Sequence, residues 1–139
     1  MPPDDDYAEE LRDAAARAAE AVLLVAVGGS GDVVGTVTFC RAGTPYAELA
    51  QPGEAEFRML AVPPQHRGRG VAEALVHACA DRAREAGDTA IVLSTMDVSH
   101  GAHRLYRRLG FVEVPERDWQ PRPGLWLRAH RRDLRLDRT

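Results

Sequence analysis

The sequence predicts a single α+β domain, helices packed on a mixed sheet, and three features predict it. Residues 21–41 read as two strands around the turn Gly28-Gly29-Ser30-Gly31-Asp32, where glycines supply the positive φ angles of a tight connection. The run Ala90-Ile91-Val92-Leu93 is apolar throughout, as in a strand buried on both faces. Two stretches, 71–86 and 100–109, have helical periodicity and stop at Gly87 and Gly110.

The other elements follow in chain order. Residues 4–20 read as a helix. Asp4, Asp5 and Asp6 offer an N-cap and suit the positive end of the helix dipole, and the alanine-rich stretch after them has high helix propensity. Leu11, Ala14, Ala15 and Ala18 fall on one stripe of it. After the strands at 21–27 and 33–41, residues 42–53 read as a loop, and 55–62 as a third strand stopped by Pro63-Pro64. The helix over 71–86 turns Val71, Ala74, Leu75, Ala78, Cys79 and Ala83 to one side. A strand at 89–95, the helix at 100–109 and strands at 111–114 and 125–130 complete the chain. The last two are joined by a loop over 115–124.

Composition narrows the classes of function. The 139 residues are 45% hydrophobic and 28% charged, the balance of an ordinary globular domain, long enough for one core and too short for two. A net charge of −3 argues against a general nucleic-acid binder. No apolar run approaches the ~18 residues of a membrane span, and the acidic N-terminus is not a signal-peptide start. No membrane partner and a cytoplasmic location are therefore expected. Cys40 and Cys79 form no CxxC pair and have no histidine at zinc-ligand spacing, so buried thiols and no metal site are expected. The cluster Arg128, Arg131, Arg132, Arg135 and Arg138 reads as a solvated tail.

The chemistry concentrates where the third strand meets the helix after it, at Gln65-His66-Arg67-Gly68-Arg69-Gly70. Amides at a helix start have no intrahelical partner and carry partial positive charge, which suits them to phosphate. Gly68 and Gly70 let an anion approach the main chain closely, and Arg67 and Arg69 add positive potential. The loop lacks the GK[ST] ending of a Walker A motif, and Glu73 stands where a dinucleotide fingerprint has its third glycine.

Gln65, Gly68 and Gly70 fill the [QR]-x-x-G-x-[GA] signature of the GNAT superfamily of N-acetyltransferases. The segment Ala102-His103-Arg104-Leu105-Tyr106-Arg107-Arg108-Leu109-Gly110-Phe111 fits that family's A-x-x-L-Y-x-x-L-G-F run. With both motifs in order on their expected elements, residues 21–132 resemble that superfamily. The resemblance implies a three-layer α/β arrangement: a mixed, mostly antiparallel central sheet with helices on both faces. It implies acetyl-CoA as acyl donor, no metal, and a small-molecule or peptide amine as acceptor.

The resemblance also assigns residues. Main-chain groups of Leu60, Ala61 and Val62 would hold the pantetheine arm, and those of His66, Arg67, Gly68, Arg69, Gly70 and Val71 the pyrophosphate. Ser99 stands where many relatives carry an asparagine that touches the pantetheine. Tyr106 would be the acid for the departing thiolate; the alternative is a core tyrosine on an amphipathic helix. Glu56 would be the base, or water would; a salt bridge at the strand end is the alternative for Glu56. Ser94 matches a base position used by other relatives and cannot serve as one at neutral pH. Trp119 and Trp126 are candidates for an acceptor pocket or for ordinary packing, and His100 and His103 read as exposed polar residues. Relative to the family pattern, the single domain spanning 1–139 lacks the usual first strand and first helix, so an uncovered edge and a homodimer are expected. A non-catalytic acyl-CoA-binding or regulatory module is the alternative function.

Overall fold

The computed structural model describes residues 21–137. Its first hairpin follows from alternation and glycine. Ala21–Val27 (β1) and Val33–Arg41 (β2) pair antiparallel from Ala21↔Cys40 to Ala26↔Gly35, and Gly31 (φ 90) turns the chain between them. Glu54–Ala61 (β3) pairs antiparallel with β2, with a register shift between Thr36 and Thr38. Ala90–Met96 (β4) lies parallel to β3, and residues 90–93 are all buried. Val112–Glu113 (β5), Trp119–Arg122 (β6) and Leu125–Asp133 (β7) complete a seven-stranded sheet of order β1-β2-β3-β4-β7-β5, with β6 also on β7. Among the described residues only the β3–β4 pair is parallel. The mixed, mostly antiparallel sheet is as expected.

Val71–Glu85 (α1) crosses from β3 to β4, and His100–Arg108 (α2) follows β4. Both pack on one face of the sheet, in a core holding Val37, Phe39, Phe57, Leu75, Cys79 and Tyr106. The helix expected over 4–20 lies outside the described residues, and the expected helices on both faces are seen on one face only among the described residues.

Three expectations need correction. The buried side of α1 is Leu75, Val76, Cys79, Ala80 and Ala83, whereas Ala74 is exposed. The helix is rotated from the predicted stripe because its alanines count equally as core or surface, and Leu75 and Val76 decide the orientation by burying the larger apolar area. The predicted loop over 115–124 contains a strand, β6, which turns at Gly124 (φ 84) to pair Trp119 with Leu127 and Arg122 with Leu125. The strand predicted over 125–130 runs on to Asp133, between β4 and β5, so part of the arginine cluster is not a solvated tail. Arg128 hydrogen-bonds Asp97, and Arg131 donates to Glu54 Oε2 at 2.9 Å.

Candidate active site

Parallel pairing of β3 with β4 runs only from Glu54↔Ala90 to Glu56↔Val92. Beyond that rung the strands part and a wedge opens between them. The register shift against β2 falls here too, with Met59 held at φ 58 in the left-handed region. The edge of β3 that leaves β4 is thus available to a strand-like ligand.

The next element supplies an anion site. Gly70 caps α1 at φ 80 and has no side chain to satisfy the first-turn amides. A Cβ at Gly68 (φ 79) or Gly70 would meet nothing within 4 Å, so conformation rather than crowding demands glycine at both, and the main chain stays open to a ligand. Gly35 differs. A Cβ there would come within 2.7 Å of Val71 Cγ1 and 3.0 Å of Leu75 Cδ1, so the start of α1 rests directly on the β2 backbone. Arg67 closes the loop by donating from Nε to the Val62 carbonyl at 3.0 Å.

Wedge and helix start border one open cleft of about 1470 Å³. Leu60, Ala61, Val62, His66, Arg67, Gly68, Gly70, Val71, Ser99 and Tyr106, all singled out from the sequence, line it. Arg69 and Glu56 do not; Arg69 is exposed. Gly35 and Thr36 of β2 and Arg108 of α2 also line the cleft and were missed. The one signal for the first two was a glycine inside a strand, which marks close backbone approach. Ser99 is the N-cap of α2 but makes no side-chain cap hydrogen bond, so its hydroxyl is not committed to the helix.

Tyr106 is 6% exposed, ringed by Phe57, Phe111 and His130 at centroid distances of 5.9, 5.7 and 5.9 Å. Burial, with Cys79 a lesser cause, pushes its phenol up to about 12. His130 is buried behind it, with Nε2 2.8 Å from Thr95 Oγ1. Burial first, and His103 second, hold this imidazole below its ordinary range. His103 sets its Nε2 3.0 Å from the Met96 carbonyl, an acceptor only, so that nitrogen carries the hydrogen. Its ring lies 5.5 Å from that of His130 and 5.7 Å from that of His100.

Glu56 lies on the sheet face away from the helices, at the last rung before the strands part. It is 1% exposed, and its Oε1 accepts the N–H groups of Glu48, Leu49 and Ala50 at 3.0, 2.8 and 2.9 Å. Its Oε2 accepts no hydrogen bond from the described residues. The salt bridge weighed for this residue is absent among the described residues, although both same-face neighbours on β3 have one. Glu54 pairs with Arg117 and Arg131, and Arg58 with Glu48. On this face, too, Trp119 donates its Nε1–H to Ser94 Oγ at 3.2 Å, while Trp126 is an exposed residue at the start of β7.

The family model for the Acetyltransferase (GNAT) family matches residues 1–111. The chain belongs to the GNAT family. It is 33% identical over 110 residues to streptothricin acetyltransferase of Streptomyces lavendulae, a match covering 79% of this chain and 54% of that protein. It is 43% identical over 58 residues to N-acetyltransferase 8F1 of Rattus norvegicus, covering 42% of this chain and 26% of the relative. The GNAT chain therefore spans between about a quarter and about half of these curated relatives. Among solved structures, a nourseothricin acetyltransferase superposes with a TM-score of 0.68 at 26% identity, covering 83% of this chain and 66% of that one. A GNAT-family protein from Desulfovibrio desulfuricans superposes with a TM-score of 0.73 at 22% identity, covering 96% and 83%. A Bacillus anthracis relative solved in complex with acetyl coenzyme A shares the fold with a TM-score of 0.69 at 17% identity, covering 82% and 62%. No helix among the described residues is long and apolar enough to cross a membrane.

Proposed function

We propose that this chain is an acetyl-CoA-dependent N-acetyltransferase that acetylates a primary amine by direct attack. One observation carries the reading: Tyr106 lines the same cleft as the uncapped start of α1 and the parted edge of β3. That layout fits coenzyme A. Main-chain amides from His66 to Val71 suit the diphosphate, Leu60 to Val62 suit the amides of the pantetheine arm, and Ser99 can add a hydroxyl.

A C–N bond forms as the C–S bond breaks, and the sulfur takes on negative charge. Donation of the whole phenolic proton is unfavourable. With Tyr106 at about 12 and an ordinary thiol at ~8.5, transfer is uphill by about 5 kcal/mol. Tyr106 therefore acts as a hydrogen-bond donor to the developing charge, and the proton reaches the sulfur from solvent. On the amine side, a carboxylate is a weaker base than an alkyl amine by about 6 pK units. Glu56 in this position passes the proton to water through Oε2 instead of keeping it.

The test is release of free thiol from acetyl-CoA across a panel of alkyl amines, peptides and aminoglycosides. Tyr106→Phe keeps the ring and its packing but removes the donor, and lowers kcat by roughly 10²–10³-fold. Acetyl-CoA binding with no acetylation of any amine would make the chain an acyl-CoA-binding module instead.

A further inference from the structure

Charge along the donor cleft is uneven. Arg67 and Arg108 bring positive charge to it, and Glu73 is the one acidic side chain among the described residues that line it. Glu73 stands in the first turn of α1, three residues past the Gly70 cap. There the positive end of the helix favours an anion, and the same amides suit the diphosphate of the donor. The transfer chemistry itself gives this carboxylate no role.

Arg108 ends α2, where the negative end of that helix favours a cation. Its Nη1 lies 3.8 Å from Glu73 Oε1, so the pair bridges α2 and α1 between side chains 66% and 43% exposed. The other carboxylate oxygen of Glu73 lies 3.5 Å from His77 Nε2, one turn further along α1. Of the two guanidinium groups lining the cleft, Arg67 is tied to the Val62 carbonyl at 3.0 Å, whereas Arg108 is held by Glu73. Arg107, beside it, turns to Glu113 at 3.5 Å. The Arg108–Glu73 pair is loose, outside hydrogen-bond range, whereas a phosphate can take two N–H groups of one guanidinium. The balance therefore favours moving Arg108 from the carboxylate to a phosphate.

We propose that Glu73 is a stand-in anion, which holds Arg108 until the donor arrives and gives it up to a donor phosphate. Each binding event must first part the pair, so Glu73 lowers the affinity for acetyl-CoA. The product carries the same phosphates, and the returning carboxylate helps to displace it. This rests on the coenzyme A reading and deepens it: a residue lining the donor cleft opposes the donor, and removing its charge tightens binding.

Calorimetric titration with acetyl-CoA tests it. Glu73→Gln keeps the size of the side chain and removes its charge, at a position exposed enough to leave folding intact. Acetyl-CoA then binds roughly threefold to fivefold tighter at low ionic strength, the upper range of an exposed ion pair. The gain disappears at about 1 M salt, where the screening length is only about 3 Å. Arg108→Gln weakens acetyl-CoA binding, and adding Glu73→Gln to that variant gives at most half the wild-type gain. An affinity that stays the same or falls with Glu73→Gln overturns the inference. So does an equal gain with and without Arg108, which would be plain repulsion of the donor. A gain that persists in high salt overturns it too, since that would mark a steric effect. A wild type that binds no acetyl-CoA rejects the coenzyme A reading and this inference with it. Wild-type binding that Glu73→Gln does not tighten rejects this inference only.

Discussion

The two faces of the sheet are built on different physics, and β3 shows both within a few residues. Ala55 and Phe57 point to the helices and join a core closed by Leu75, Cys79 and Tyr106. Glu54, Glu56 and Arg58 point the other way into salt bridges and main-chain hydrogen bonds. The helix face is held by area removed from water, which is non-directional and tolerant of repacking. The opposite face is held by directional pairs that stabilise when complete and cost heavily when half made. The apolar face carries Tyr106 into the cleft, and the polar face fixes the main chain of residues 46–51.

The largest effect is expected where the polar face is broken at its centre. Glu54 is buried and bonded to Arg117 and Arg131, so Glu54→Ala strands two guanidinium groups and costs about 3–5 kcal/mol, lowering Tm by roughly 10 °C. Burial alone would raise the Glu54 carboxyl, but hydrogen bonds from Arg117, the Gln51 amide and Arg131 outweigh it and hold it low. The sign follows: its contribution is present above the unfolded value near ~4.3 and is lost as pH falls through the lower folded value. Urea melts of wild type and variant should differ most at neutral pH and converge in acid. A gap that does not narrow would show the loss to be one of packing.

A smaller effect is expected at the rim of the cleft. Gly70 sits at φ 80 with open space around it, so Gly70→Ala meets no clash and bears only the left-handed penalty of about 1–2 kcal/mol. Acetyl-CoA affinity measured by calorimetry should fall beyond what this loss of stability explains, because the first-turn amides shift. If stability falls and affinity holds, the loop is merely a connection.

The same contrast explains what was legible beforehand. Apolar periodicity and glycine punctuation are local, so β1, β2, the run at 90–93 and the loop at 65–70 could be read directly. The polar face could not, because its partners are remote: Glu54 finds Arg117 and Arg131, which are 63 and 77 positions away. Arg131 therefore looked like part of a solvated tail. Strand β6 was hidden by Pro121, Pro123 and Gly124, which signal a loop whether or not a hairpin turns there. For the site, motif spacing named about half of the residues lining the cleft, while Thr36 and Gly35 come from a strand that only the β2–β3 pairing brings alongside. Glu56 was named, but its threefold amide anchoring depends on a loop whose path no local pattern encodes.

The smallest expected effect tests the imidazole buried on the mostly apolar side. His130 packs behind Tyr106, hydrogen-bonded to Thr95, with its imidazole held low by burial and then by His103, against weaker opposing pulls from Glu113 and Asp118. Because the folded value lies below the unfolded ~6.5, the unfolded chain takes up this proton first as pH falls. Its stabilising share is complete above about pH 6.5 and declines on acidification towards the folded value, at most about 1.4 kcal/mol per pH unit. Thermal melts from pH 8 to pH 5 should show wild type losing stability faster than His130→Gln, which keeps a hydrogen-bonding group but cannot titrate. If His130→Gln follows the wild-type curve, the buried ring is not what titrates, and the acid sensitivity belongs to the carboxylates of the opposite face.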